Sequence, residues 1–183
     1  MRIFGLAALV VAALASGGCL VLALNPIYDD QTIEFDEKLV GTWDHAEDGT
    51  SVVVARGAWR SYDVTCTARG TTLKLTAYAT RIGDARFLDL GPEHGTDPVP
   101  LAVPAHAVLR IQLVGDTLTA SGFDYEWWMR AAGPGGQGVP GHAIDERKNL
   151  VLTAPTPALR KWIAGSLGTD EAYGEALTLT RRR

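Results

Sequence analysis

Apolar and polar residues alternate along most of the chain from residue 38 onward. In residues 73–80, Leu73, Leu75, Ala77 and Ala79 share one face, and polar or aromatic residues occupy the other. A period of two is typical of a β-strand that buries one face. Comparable patterns predict about nine short strands, centred on residues 39–43, 52–54, 62–66, 73–80, 87–90, 109–113, 118–120, 150–152 and 177–179.

Turn residues separate many of these segments. Gly115 and Asp116 lie between two alternating runs and predict a tight hairpin. Several short strands with frequent turns favour a barrel or a sandwich over a parallel α/β sheet. We therefore predict a mainly β protein, built as an antiparallel barrel of about eight or nine strands.

Two segments in the C-terminal half have helical spacing instead. Asp124 is placed to cap a short helix that runs through Ala131. Thr156 is placed to cap a second helix, with Pro157 at its first position and Gly168 after its end. The tryptophans of these helices are expected to pack against the wall or the mouth of the barrel.

The N-terminal segment has the character of a targeting signal. After Arg2, residues 3–24 contain no charge. Small residues precede Cys19, and this pattern resembles the lipobox of bacterial lipoproteins, with Gly18 and Cys19 at matching positions and Ser16 where the family usually has leucine. The resemblance implies cleavage before Cys19 and attachment of diacylglycerol to its thiol.

This resemblance divides the chain into a signal peptide at residues 1–18, a lipidated tether at residues 19–37 and a single domain at residues 38–183. Two alternatives are an uncleaved signal anchor reaching about residue 24, because 22 uncharged residues can span a bilayer, and simple secretion. Each places the domain outside the cytoplasm, in a bacterial cell envelope. Leu20, rather than aspartate, follows the modified cysteine, and by analogy with enteric-type lipoproteins this favours the outer membrane.

The start of the first predicted strand carries the second resemblance. Gly41, Thr42 and Trp43 resemble the Gly-x-Trp opening of lipocalins, a family in which an arginine of the last strand lies across the tryptophan ring. The matching arginine is Arg181. The resemblance implies a lipocalin-like barrel with Trp43 as its floor, close backbone packing at Gly41 and a cation–π contact from Arg181.

A wider pattern covers most of the chain. It combines the envelope signal with residues 26–28, residues 40–43 and residues 150–156, and it resembles a group of bacterial envelope lipoproteins. That resemblance implies location but no particular activity.

An eight-stranded barrel can hold one small ligand. The inward candidates to line such a site are Leu75, Ala77, Ala79, Leu109 and Ile111. Ala77 and Ala79 matter most, because small side chains on an inward face leave room. The alternative is a packed interior, in a structural or assembly protein that binds another envelope protein and no small molecule.

Overall charge and the absence of known motifs limit the classes of function that the sequence supports. With 17 basic and 21 acidic residues and no basic stripe, the chain is not expected to bind nucleic acid. No nucleophile elbow, phosphate-binding loop or His-Glu-x-x-His motif is present, so we predict no enzyme, cofactor or metal, although an enzyme with an unrecognised site stays open. Cys66 lies on an alternating stretch and is expected to be a buried, inert thiol, and a disulfide with Cys19 is open only if the anchor is not a lipid.

Overall fold

The computed structural model describes residues 20–93, 95, 104–133, 138–139 and 141–183. These residues form twelve strands, two α-helices and two short 3-10 turns. The strands are β1 Val21–Ala23, β2 Ile33–Glu34, β3 Gly41–Asp44, β4 Ser51–Arg56, β5 Tyr62–Ala68, β6 Thr71–Ile82, β7 Ala85–Pro92, β8 His106–Val114, β9 Thr117–Gly122, β10 His142–Ile144, β11 Leu150–Leu152 and β12 Leu177–Arg181. The helices are α1 Tyr125–Ala132 and α2 Thr156–Ser166, and the 3-10 turns are Glu37–Leu39 and Asp170–Ala172.

Eight strands close into an antiparallel barrel in the order β3-β4-β5-β6-β7-β8-β9-β12. Strands β3 to β9 follow one another as hairpins. Strand β12 then pairs with β9, where Leu179 lies opposite Leu118, and with β3, where Arg181 lies opposite Trp43. The predicted mainly β fold, with an antiparallel barrel and two helices in the C-terminal half, is confirmed.

The barrel closes although residues 123–176 separate β9 from β12. This insertion leaves the barrel wall, forms α1, β10, β11 and α2, and returns to the same edge. Strand β11 pairs in parallel with β1, and β1 pairs with the first residues of β8, where Leu22 lies opposite Ala107. The inserted elements therefore build a second layer outside the barrel.

The N-cap of α1 agrees with the prediction, and the N-cap of α2 differs from it. The Asp124 side chain caps α1 by accepting from the backbone N–H of Trp127 at 2.7 Å, as predicted. The predicted cap at Thr156 is wrong, because Pro155 occupies the N-cap position of α2 without a side-chain hydrogen bond. The Thr156 hydroxyl instead donates to the carbonyl of Pro26 at 2.6 Å, which ties the helix to the N-terminal segment.

Two large apolar cores result, together with a small third cluster at Cys66 and Ala68. The inner core fills the barrel around Trp43, and the outer core lies between the outer faces of β6 to β8 and the inserted layer. In the outer core, Phe87 and Ile163 have no exposed surface and Trp128 is 1% exposed. The tryptophans of α1 and α2 therefore do pack on the barrel wall, as the sequence predicted.

The N-terminal segment belongs to the fold and is not a free tether. Val21 and Ala23 are buried in β1, between β8 and β11. Ile27 and Ile33 are also buried, so the predicted tether at residues 19–37 is folded from Leu20 onward. The apolar residues after Cys19 are explained by this, because they form a strand. The described part of the chain contains no helix with the length and apolar character needed to cross a bilayer.

The barrel has two ends. The closed end contains the start of β3, the end of β12 and the β4–β5, β6–β7 and β8–β9 turns. The opposite end contains the β3–β4 and β5–β6 turns and the point where β9 leaves the wall.

Candidate functional site

The floor of the barrel is built on Trp43. Its side chain is completely buried, and its Nε1–H donates to the carbonyl of Leu39 at 2.9 Å. The guanidinium carbon of Arg181 lies 4.1 Å from the centre of the indole ring, within the range of a cation–π contact. Arg181 also donates to the carbonyl of Val40 at 2.8 Å and to that of Lys38. The arginine therefore joins the first and last barrel strands across the ring.

Gly41 makes this approach sterically feasible. Its φ of +149° is one that other residues rarely adopt. A Cβ at this position would lie 2.3 Å from Nη1 of Arg181. The three residues that resemble the lipocalin floor are thus in mutual contact or close proximity, with the glycine leaving space for the arginine.

The room expected beside the two alanines is filled. Ala77 and Ala79 face inward and have no exposed surface. Tyr62 lies directly opposite Ala77 across the β5–β6 pair, is itself fully buried, and stacks on Phe35 with ring centres 4.8 Å apart. Small side chains on one strand are compensated by a large one on the next.

Other inward side chains keep accessible surface. Leu88 and Leu109 lie opposite each other on β7 and β8, pack against the inner core and are only partly buried. Gly122 lies opposite Leu109 on β9 and contributes no side chain to the space beside it. We define the interior cup as six inward, partly exposed apolar side chains: Val52, Leu73, Leu75, Leu88, Leu109 and Leu177.

Of the five predicted lining residues, the structure therefore places two in the interior cup. Leu75 and Leu109 are partly exposed, whereas Ala77, Ala79 and Ile111 are buried in the packed core. Four members of the cup were not in that set. Leu73 shares the predicted inward face of β6, whereas Val52, Leu88 and Leu177 were missed, because their inward orientation follows from the register of β4, β7 and β12, which the sequence alone does not define.

Of the two cysteines, only Cys66 is among the described residues. Cys19 lies outside the described residues. Cys66 is a free, buried thiol on the inner face of β5, and burial, together with the nearby Asp48 charge, raises its pKa to about 11. The thiol therefore stays protonated and unreactive at neutral pH.

A buried contact between an aspartate and a histidine on the outer wall was not predicted. Asp89, whose side chain has no exposed surface, lies with its Oδ1 2.5 Å from Nδ1 of His106. Its Oδ2 accepts from the backbone N–H of Ile27 at 2.7 Å. One carboxylate thus links β7, β8 and the N-terminal segment. The two side chains are 17 positions apart and become neighbours only through strand pairing.

The described residues do not form a recognisable metal site. Within the described ranges, no group of three or more histidine, cysteine or acidic side chains is placed to hold a metal ion. His45 and Asp48 come close together in a short turn, where Nδ1 and Oδ1 are 2.9 Å apart, but no third ligand joins them within the described ranges.

Comparisons of the chain with protein-family models, with curated proteins and with solved structures found no match.

Proposed function

We propose that this protein is a lipid-anchored envelope protein whose lipocalin-like barrel binds a small apolar or amphipathic molecule in the interior cup. The observation that carries the proposal is the accessible surface of Leu88 and Leu109, two leucines that face into the barrel. In a filled eight-stranded barrel, inward leucines at mid-strand would be fully buried. Accessible apolar surface in a concave interior is characteristic of a ligand site.

The geometry favours entry from the end opposite the floor. Trp43, Arg181 and Leu39 obstruct the closed end, where Tyr62, at the start of β5, stacks on Phe35. A hydrocarbon chain in the interior cup would contact side chains such as Leu75 and Leu109. Burying a dozen methylene groups supplies roughly 8–10 kcal/mol before ordering costs, which is enough for micromolar affinity.

We expect the soluble domain to bind a fluorescent fatty acid saturably, with micromolar affinity. The protein for this test begins at residue 20, because β1 is part of the sheet. Leu109→Trp is expected to weaken binding at least tenfold, since the larger ring occupies the space beside Gly122. The measurement is a fluorescence titration, with circular dichroism to confirm that the variant is folded.

Val114→Trp is the matched control for this substitution. Val114 lies on the same strand, is 65% exposed and faces away from the interior, so its replacement is expected to leave affinity unchanged. If the unmodified domain binds no fatty acid or envelope lipid at tens of micromolar, the binding-barrel proposal is wrong.

The anchor is the second part of the proposal, and the small residues before Cys19 support it. We expect metabolic labelling with a palmitate analogue to mark the protein. Cys19→Ala should remove the label, whereas Cys66→Ala, at the other cysteine, should retain it. An unlabelled protein that still carries residues 1–18 would indicate an uncleaved anchor instead.

A second candidate function is the binding of another envelope protein. Strand β10 lies at the end of the sheet order, and its residues His142–Ile144 are all exposed, with Ile144 at 52%. An exposed edge strand can accept a strand from a partner. This candidate is favoured if the fatty-acid titration fails and Ile144→Lys abolishes co-purification of an envelope protein.

A further inference from the structure

Two arginines face each other at the closed end of the barrel. Arg81 and Arg86 are directly opposite in the β6–β7 register, so their side chains emerge on the same face. Like charges directly opposite each other in an antiparallel pair are destabilising. Negative charge held between or beside the two guanidinium groups offsets this repulsion.

The structure supplies part of that negative charge. Glu34 Oε1 lies 3.1 Å from Arg81 Nε, and Glu34 Oε2 lies 3.9 Å from Arg86 Nε. Asp36 Oδ2 lies 3.0 Å from Arg86 Nη1. The Nε–H of Arg86 is buried but makes no hydrogen bond to any residue that the structure describes. Two carboxylates therefore balance two guanidinium groups, with one buried donor left over.

A third guanidinium adds an excess of positive charge. Arg60 lines the same open pocket, of about 550 Å³, together with Arg81, Arg86, Glu34 and Asp36. Within the described part of the chain, no carboxylate forms an ion pair with Arg60. The pocket residues thus carry three positive and two negative charges. This imbalance makes the pocket suited to an anion.

The turn that presents Arg60 is strained. Ser61 N–H donates to the Ala58 carbonyl at 3.0 Å, and the two residues between them, Trp59 and Arg60, have φ values of +39° and +59°. Positive φ at both central positions defines a type I′ turn, which strongly prefers Asn-Gly. Two large residues in this conformation cost stability, and strain of this kind is common at functional sites. The Trp59 side chain, 58% exposed, stands beside Arg60 in the chain.

We propose that this pocket is a binding site for a phosphate group, separate from the interior cup. A phosphate has enough oxygens to accept from several guanidinium groups at once, whereas a carboxylate has two. Its negative charge compensates the positive charge of Arg60, which is exposed at the pocket. Phe35, which lines the pocket, stacks on Tyr62, and none of the residues that line the pocket belongs to the interior cup. The phosphate source is either a soluble phosphate compound or the headgroup of an anionic phospholipid.

The test uses the full chain in a maltoside detergent, which contributes no phosphate. Inorganic phosphate is titrated while the backbone amide signals of isotope-labelled protein are followed by NMR, and shifts are expected around residues 33–36 and 59–61. Arg60→Gln should weaken phosphate binding about tenfold or more, because a charge-assisted hydrogen bond and one unit of charge are lost. Short-chain phosphatidic acid is titrated in parallel. Tighter binding of the lipid indicates a headgroup site, and equal or weaker binding indicates a soluble phosphate compound.

Arg69→Gln is the matched control. Arg69 is also exposed, has a φ of +51° and sits in a hairpin turn, but at the opposite end of the barrel. Phosphate affinity should be unchanged in this variant. The proposal is overturned if the wild-type protein binds neither phosphate nor phosphatidic acid at millimolar concentration, if Arg60→Gln binds as tightly as wild type, or if both arginine variants lose binding equally. The interior cup is not involved, so Leu109→Trp should leave this binding intact.

Discussion

Replacing Trp43 with alanine is expected to lower the free energy of unfolding by about 3–5 kcal/mol. The indole is completely buried at the barrel floor, so its removal leaves a cavity. The substitution also removes the hydrogen bond to Leu39 and leaves Arg181 without the ring that it covers. Denaturant unfolding followed by circular dichroism measures the effect.

Trp59→Ala is the control for the loss of a tryptophan as such. Trp59 is 58% exposed on a turn, and its replacement should change stability by less than about 1 kcal/mol. If Trp43→Ala costs no more than this, Trp43 does not stabilise the floor, and the main support for a lipocalin-like barrel is lost.

Asp89→Ala is expected to destabilise the protein by a similar amount, about 3–5 kcal/mol, although it removes fewer atoms. The substitution leaves His106 without its buried partner and the backbone N–H of Ile27 without its acceptor. Buried polar groups that lose their partners carry the full cost of their lost hydration. Thermal and denaturant unfolding at neutral pH measure this loss.

Asp63→Ala is the corresponding control, because Asp63 is exposed on the outer face of β5. It should behave as wild type. A loss below about 1 kcal/mol in Asp89→Ala would mean that the link between β7, β8 and the N-terminal segment contributes little to stability.

The barrel strands were predictable because each strand has one face toward the barrel interior and one face toward the outside. In β5, for instance, Tyr62, Val64 and Cys66 are buried inside, whereas Asp63 and Thr67 are exposed. That difference imposes a period of two on the sequence. The floor was predictable for another reason, since glycine, tryptophan and arginine have distinctive chemistry and lie at the two ends of the domain.

Strand β1 could not be predicted in the same way. It has three residues, it continues an apolar segment without a break, and both of its neighbours come much later in the chain. Apolar residues 20–24 fit a targeting signal and a buried strand equally well. Composition alone does not distinguish them.

The polar clusters and the size of the barrel interior could not be predicted, because they depend on which residues of neighbouring strands lie opposite each other. Arg81 and Arg86 are separated by a hairpin turn, and only the pairing of β6 with β7 makes them face each other. Likewise, the small size of Ala77 was evident, but not that Tyr62 would lie opposite it. A shift of one residue would have put different side chains into each of these places.

The position of β1 also has a kinetic consequence. Its first hydrogen bond, from Leu20 to Asn149, spans 129 positions, and Val21 pairs with Leu150. Contacts between such distant residues form slowly, and the pairing of β1 with β11 cannot form until residue 150 has been synthesised. The first strand can pair with β8 earlier, at Leu22 and Ala107, but it is among the last strands to complete its pairing. Strand β1 lies between β8 and β11 in the sheet, so this late pairing is the step that joins the inserted layer to the barrel sheet through β1.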